Sequence, residues 1–340
     1  MKKLFNSKFL SLYITIFLFF VLFSIGSVLY TGFFSLQTFL NLFIDNAFLI
    51  ISASGMTMVL LIGGIDISVG SVIALTCMLS AYLLELKGFN PVLVMALMIL
   101  MGAGFGLIQG CLIHFFRIQP FIVTLAGLFF ARGMTAVIST DTINIKNKLY
   151  TDISNYRIYL YDKSFISIGV VIALIVISIT IYIAHYTRFG RSVYAIGGNE
   201  QSARLMGLPV GRTKVLVYTY SGVCYAIAGI VFSFYMLSGY TLHQQGGEMD
   251  AIASAVIGGT SLTGGVGYVF GTLFGVLIQG VIQTLIMFQG TLSSWWTRIA
   301  VALLLCMFIM IQRLLTIRKD TGRKAKINTG KKAKQLKVKA

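Results

Sequence analysis

The chain has 340 residues, of which 57% are hydrophobic and 11% charged, with 27 Lys and Arg against 10 Asp and Glu. That excludes an ordinary soluble domain, in which roughly 25% of residues are charged. The formal charge of +17 is concentrated in residues 313–340, which hold 11 Lys and Arg against Asp320 and contain no aromatic residue to stack a base, so no nucleic-acid platform is indicated.

Ten apolar segments follow one another near 9–30, 41–62, 67–85, 91–113, 118–138, 164–186, 214–237, 249–263, 268–288 and 292–312. Several reach the roughly 20 residues that a bilayer-spanning helix needs. The spacing predicts an all-α polytopic membrane protein of about ten transmembrane helices. The first segment follows Lys2, Lys3 and Lys8, is long for a signal-peptide core and lacks a small-residue cleavage site, so it reads as an uncleaved span. The second begins in a polar stretch, Asn41 to Asn46, that includes Asp45 and points to the outer interface. The eighth is short for a full span.

Between the second and third segments runs Gly-Gly-Ile-Asp-Ile-Ser-Val-Gly-Ser, residues 63–71. A second glycine-rich break extends from Gly246 to Gly267 and carries Glu248 and Asp250. Non-helical backbone inside hydrocarbon must be buried in protein or line a water-filled path. Paired interruptions in two halves of a membrane chain point to a transport pathway. Asp66, with Ser68 and Ser71, has two readings: a helix-end cap, or a group in the permeation path or gate. Asp250 has the same two.

A further echo supports a duplicated core. Phe105 to Gly110 (Phe-Gly-Leu-Ile-Gln-Gly) resembles Phe274 to Gly280 with one residue inserted, and Arg132 and Arg298 follow at similar distances. Each arginine either snorkels to the interface or pairs with a carboxylate along a polar path. The small-residue stripe Gly102, Gly106 and Gly110, with its echo Gly271 and Gly275, predicts close helix packing. Trp295 and Trp296 read as interfacial anchors.

Two long loops separate the segments. Residues 139–163 hold Asp141, Asp152 and Asp162 with several tyrosines and read as an outer cap; residues 187–213 are rich in cations. With the N-terminus inside and alternating spans, 20 Lys and Arg fall inside and 5 outside, which places both termini in the cytoplasm. Within 187–213, Asn199 is placed to cap a short helix through Met206, with Gly207 as its stop and Pro209 beyond. Two turns are too short to stand alone, so a docking partner is implied.

Enzymatic chemistry finds no footing. There is no phosphate-binding G-x-x-x-x-G-K-[ST], no HExxH and no GxSxG, and His114, His185 and His243 are far apart in sequence. Cys77, Cys111, Cys224 and Cys306 form no CxxC pair and suggest neither disulfide nor metal. The residues alone leave two classes open: a subunit of a powered transporter, or a self-sufficient secondary carrier or channel using Asp66 and Asp250.

The motifs resemble a known family. Gly63 to Ser71, then Tyr194 to Glu200 with Ala203 to Gly207, then Asp250 to Ser254 with Gly258 to Gly267, resemble the permeases of ribose-type sugar ABC importers, within the branched-chain amino acid and ribose permease superfamily. The likeness covers about residues 40 to 312, with the first segment and basic tail outside it. A closer likeness, to permease subunits of galactofuranose importers, rests on Asp45 to Leu49, Gly290 to Thr297 and the wording of the inner loop. The resemblance implies a type II importer permease with a transmembrane domain over 1–312 and a cytoplasmic tail over 313–340. It also implies a bacterial inner-membrane location, a second permease subunit, two ATP-binding cassettes and an extracytoplasmic solute-binding protein. On this reading Asn199, Glu200, Ala203, Arg204 and Gly207 carry the contact with the ATPase. Asp66, Ser68, Asp250, Arg132 and Arg298 are the candidates for the path or gate. The chain itself would hold no cofactor or metal, ATP and Mg being bound by the partner.

Overall fold

The structure, a computed structural model, describes residues 10–161, 164–290 and 295–310. Lys2, Lys3, Lys8, Asp162, Lys163, residues 291–294 and the basic segment 313–340 lie outside the described residues. The all-α reading holds. Among the described residues seven helices are long and apolar enough to cross a bilayer: α1 (Leu10–Leu29), α4 (Val69–Ala81, prolonged by a π-helical turn Tyr82–Leu86), α5 (Pro91–Phe115), α6 (Pro120–Ile138), α8 (Ile168–Tyr186), α11 (Val210–Met236) and α13 (Val269–Gln289).

The second predicted segment is a bent pair. α2 (Leu36–Asp45) and α3 (Ala47–Leu61) meet at 55° about Asn46, whose side-chain amide donates to the Leu42 carbonyl over 2.9 Å. The eighth segment is helical only over α12 (Gly247–Ile257), 11 residues, because the glycines from 258 onward leave the helix. α14 (Trp295–Met310) is also shorter than a full span.

α3 lies at the centre. All of its residues but one are buried, against α11, α8, α12 and α13, as expected of a helix that is apolar on every side. A second cluster, around Phe19, Phe33, Leu277 and Phe308, joins α1 to α13 and α14. A third, around Tyr150 and Phe234, seats the segment 139–167. That segment forms β1 (Ile143–Asn144), α7 (Lys148–Asn155), and an antiparallel hairpin of β2 (Arg157–Tyr161) with β3 (Ser164–Ser167). β1 pairs with β4 (Ser238–Gly239), which follows α11.

α8 separates this cap from residues 187–213 by 19 residues, on the order of 28 Å at 1.5 Å per residue. The two loops therefore stand at opposite ends, a cap end and a loop end. The loop end carries more helix than the sequence indicated: α9 (Arg188–Gly198) precedes α10 (Glu200–Leu205).

The glycine stripes pack backbone against backbone. A Cβ on Gly106 would fall 2.1 Å from the Tyr218 carbonyl oxygen on α11, and one on Gly102 would fall 2.4 Å from that of Gly222. The echo does the same against α12: Gly275 faces the Ser254 carbonyl and Gly271 that of Gly258, at 1.9 and 2.0 Å. Small residues allow this approach, which is how helices associate where no hydrophobic driving force separates them from lipid.

Candidate functional site

At the loop end, Asn199 caps α10 as its sequence position predicts. Its side-chain oxygen accepts the Ser202 amide over 2.7 Å, and Gly207, at φ +77°, turns the chain away. Ala203 is buried, while Leu205 and Met206 are exposed. Glu200 accepts from Lys214 at 2.7 Å and Arg204 at 3.3 Å, so the first turn of α10 is fastened to the start of α11. The Lys214 ammonium holds the Glu200 carboxyl below its ordinary range, with Arg204 adding to the effect.

Beneath α10 the three glycine motifs converge. The Gly265 amide donates to the Leu61 carbonyl over 2.8 Å. A Cβ on Gly197, at the end of α9, would fall 1.8 Å from that same carbonyl oxygen. Gly264 and Gly265 both have positive φ, and their Cβ positions stand 2.7 Å from the Gly63 nitrogen and 2.6 Å from the Gly198 Cα. Tyr194 completes the junction by donating its hydroxyl to the Gly267 carbonyl over 2.8 Å. Residues 63, 197–198 and 264–265 thus touch through main chain, and a side chain at Gly197, Gly264 or Gly265 would push them apart.

Asp66, three residues beyond Gly63, is 1% exposed. Its Oδ1 accepts the Ser68 amide at 2.9 Å and the Ser68 hydroxyl at 2.6 Å, while Gln109 Nε2 donates to that hydroxyl over 3.0 Å. The carboxylate therefore closes a turn before α4, whose first-turn amides it does not reach. Tyr218 and Tyr225 on α11 lie within electrostatic reach of it. Gln279, the echo of Gln109, likewise reaches the other carboxylate-bearing break: its Nε2 donates to the Asp250 carbonyl over 3.1 Å.

The two arginines meet a single turn. Arg132 of α6 donates from Nη1 to the carbonyl of Thr241 and, at 2.8 Å, to that of His243. Arg298 of α14 donates to the Gln245 carbonyl at 3.1 Å while its guanidinium lies over the Trp295 ring, 5.0 Å from the centroid. Among the described residues neither forms an ion pair; backbone carbonyls take the place of the carboxylates that one of the two sequence readings offers. The turn is bent at Gln244, at φ +53°, and at Gly246, at φ +87°, and the Gln244 carbonyl crowds the Cβ position of Gly70. Glu248 lies in the field of Arg132, and Asp250 in that of Arg298. The turn is also continuous with the cap, through the pairing of β4 with β1 and the Thr241 hydroxyl, which donates to the Ser139 carbonyl over 2.9 Å.

The predicted site residues therefore fall into three groups: α10, the Asp66 turn and the arginine-clamped turn, with the glycine junction linking the first two. Sequence reasoning missed Tyr194, Gln109 and Gln279 as working side chains, although all three lie inside motifs it singled out. Asp45 accepts from Tyr235 at 3.2 Å at the cap end. Among the described residues no three His, Cys, Asp or Glu side chains gather as a metal site.

A bundle of bilayer-length helices, broken by glycine turns that meet under a capped helix, is the architecture of a transport permease. The chain belongs to the family of branched-chain amino acid transport system permease components, whose model matches residues 38–311. It is 49% identical to the inner membrane ABC transporter permease protein YjfF of Escherichia coli (strain K12), over 85% of this chain and 87% of that one. It is 41% identical to the fructose import permease protein FruG of Bifidobacterium longum (strain NCC 2705), over 87% and 88% of the two chains. With the ribose import permease protein RbsC of Escherichia coli (strain K12) the identity is 34%, over 86% and 90%. These relatives make it a multi-pass permease of sugar ABC transport. No solved structure matches the chain.

Proposed function

We propose that this chain is the translocating subunit of an ATP-driven importer of a monosaccharide. It works as a pair with a second permease, identical or paralogous. Two ATP-binding cassettes dock on α10 at the loop end, and a solute-binding protein docks on the cap. The positive-inside bias puts the loop end and both termini in the cytoplasm of a bacterial inner-membrane protein. ATP and Mg belong to the cassettes, and this chain catalyses nothing itself.

The observation that carries the reading is the glycine junction. The end of α9, which leads directly into α10, rests by main chain on both the break before α4 and the break before α13. A push on α10 is therefore delivered to both halves of the bundle without an intervening soft side chain. Asp66 and Ser68 form the turn that would move, and Asp250, Arg132 and Arg298 surround the turn at the other end of the path. Alternating access follows if the two ends open in opposition.

The cargo we infer is a galactofuranose-type sugar, on the wording of residues 45–49, 290–297 and the loop end. A sugar panel titrated against the cognate binding protein tests this part; preference for another pentose or hexose would reassign the cargo and leave the transport class intact. The class itself is tested by replacing residues 199–207 with a Gly/Ser stretch. Uptake should vanish while membrane insertion persists, and normal uptake would refute the coupling role. Sugar accumulation driven by an ion gradient, in proteoliposomes of the chain without any ATPase, would instead establish the secondary carrier.

A further inference from the structure

A cavity of about 840 Å³ opens at the loop end between α10, the first glycine break and the turn joining α5 to α6. Its volume is within the roughly 300–1,000 Å³ of small-molecule sites. His114, Arg117, Glu200, Arg204, Lys214 and Tyr218 all line it. Glu200 is already held by Arg204 and Lys214, so three cations face one acid. Arg117 sits in the left-handed region at φ +56°, exposed, with no ion pair among the described residues. The His114 ring is wedged over Gly211, where a Cβ would fall 2.0 Å from its Nε2, so the imidazole is fixed in place by α11. Tyr218 is 1% exposed and its hydroxyl has no hydrogen-bond partner among the described residues. The helix termini do not decide the sign of the site, since the ends of α3 and α5 border it as well as the starts of α6 and α11. The side chains do.

We infer that this cavity binds a phosphate ester at the root of the proposed coupling helix, either a free phosphorylated metabolite or the headgroup of an anionic lipid. A phosphate carries about −1.5 to −2 charges and three acceptor oxygens, which matches an excess of two cations with a hydroxyl and an imidazole close by. A neutral sugar would leave Arg117 without a counter-charge and the net excess uncompensated. The position gives the site a consequence. Lys214 and Arg204 cannot serve a phosphate and Glu200 equally, so occupancy loosens α10 from α11 and slows import. The inference rests on the proposed function for that consequence and for the source of the ligand, but binding itself does not depend on either.

The purified full chain in nanodiscs of neutral phosphatidylcholine is titrated calorimetrically with glucose 6-phosphate and with inorganic phosphate. The same chain from native membrane is weighed by native mass spectrometry for retained phospholipid. Arg117→Gln and His114→Gln are compared with Arg157→Gln, a cap-end control. We expect saturable binding that weakens at least tenfold in the first two variants and is unchanged in the third. Retention of anionic phospholipid that is lost in Arg117→Gln, without sugar phosphate binding, assigns the site to a lipid headgroup. Absence of both ligands, or equal weakening in Arg157→Gln, overturns the inference. Failure of transport coupling alone would leave these binding results standing.

Discussion

The hydroxyl of Tyr194 donates to the carbonyl of Gly267 across 2.8 Å, and this bond ties the helix leading into α10 to the second glycine block. A neutral hydrogen bond of this kind contributes about 0.5–1.5 kcal/mol net. Its removal leaves the fold intact but slackens the link. Tyr194→Phe is expected to lower sugar transported per ATP hydrolysed by several-fold, with ATPase activity retained, in proteoliposomes of the complete importer. An unchanged ratio would remove Tyr194 from the coupling path.

Neighbouring glycines at the junction make a sharper comparison. A Cβ at Gly197 would overlap the Leu61 carbonyl oxygen at 1.8 Å, whereas one at Gly198 meets nothing within 4 Å. Because backbone cannot rotate aside as a side chain can, Gly197→Ala must separate α9 from the break before α4. Overpacking typically costs about 1–3 kcal/mol. Gly197→Ala should abolish uptake and lower the melting temperature, and Gly198→Ala should do neither. Equal behaviour of the two would show that the three segments do not move as one piece.

How much of this was legible in the sequence depends on how local the signal was. The cap at Asn199 and the stop at Gly207 are set by residues within nine positions, and they stand where the sequence put them. The glycine stripe of α5 was readable because helical spacing puts Gly102, Gly106 and Gly110 on one face. The meeting of Gly63, Gly197 and Gly265 was not, because main-chain contact between distant segments leaves no pattern but the glycines themselves. The partners of Arg132 and Arg298 were hidden for a related reason. A carbonyl is present at every position, so a cation that binds backbone has no complementary residue to find. The bend at Asn46 and the helix α9 were obscured by continuous apolar and mixed composition.

The arginine-clamped turn predicts a ranking. Arg132 is half-buried and donates to two carbonyls, whereas Arg298 is exposed and donates to one. Hydrogen bonds to charged groups are worth about 1.5–3 kcal/mol, less where water competes. Lysine keeps the charge but not the planar fork. Arg132→Lys should therefore reduce uptake and thermal stability more than Arg298→Lys. Comparable losses in melting temperature would mean that the turn is held by other contacts.

Glu200 sets a pH window. Its carboxyl is held below the ordinary 4.5, chiefly by the Lys214 hydrogen bond. A depressed folded pKa gives stability that is present above the unfolded value and lost as pH falls through the folded one. The gain from the Glu200 ion pairs is thus nearly constant from pH 8 to 5, begins to fall near 4.5 and is lost as pH drops through the lower folded value. Its size is small, since the side chain is 41% exposed and screened. Melting curves of the wild type and Glu200→Gln should run parallel from pH 8 to 5 and converge in acid. Divergence between pH 6 and 8 would implicate a different group.

The packing of α5 on α11 yields a paired test that is independent of transport. Gly106 and Gly104 are two residues apart on one helix, so they point to different faces. A Cβ on Gly106 falls 2.1 Å from the Tyr218 carbonyl oxygen and 2.8 Å from its carbon, whereas one on Gly104 meets nothing within 4 Å. Alanine at 106 must lever α5 away from α11, and Tyr218 borders the loop-end cavity, so the strain reaches the wall beside α10. Alanine at 104 removes backbone freedom from the unfolded chain at no steric cost and favours the helix by about 0.5–1 kcal/mol. Melting of the purified protein should therefore move in opposite directions, down for Gly106→Ala and slightly up for Gly104→Ala. If both move down alike, the stripe acts through helix propensity, and the close approach of the two backbones is not what holds α5 in place.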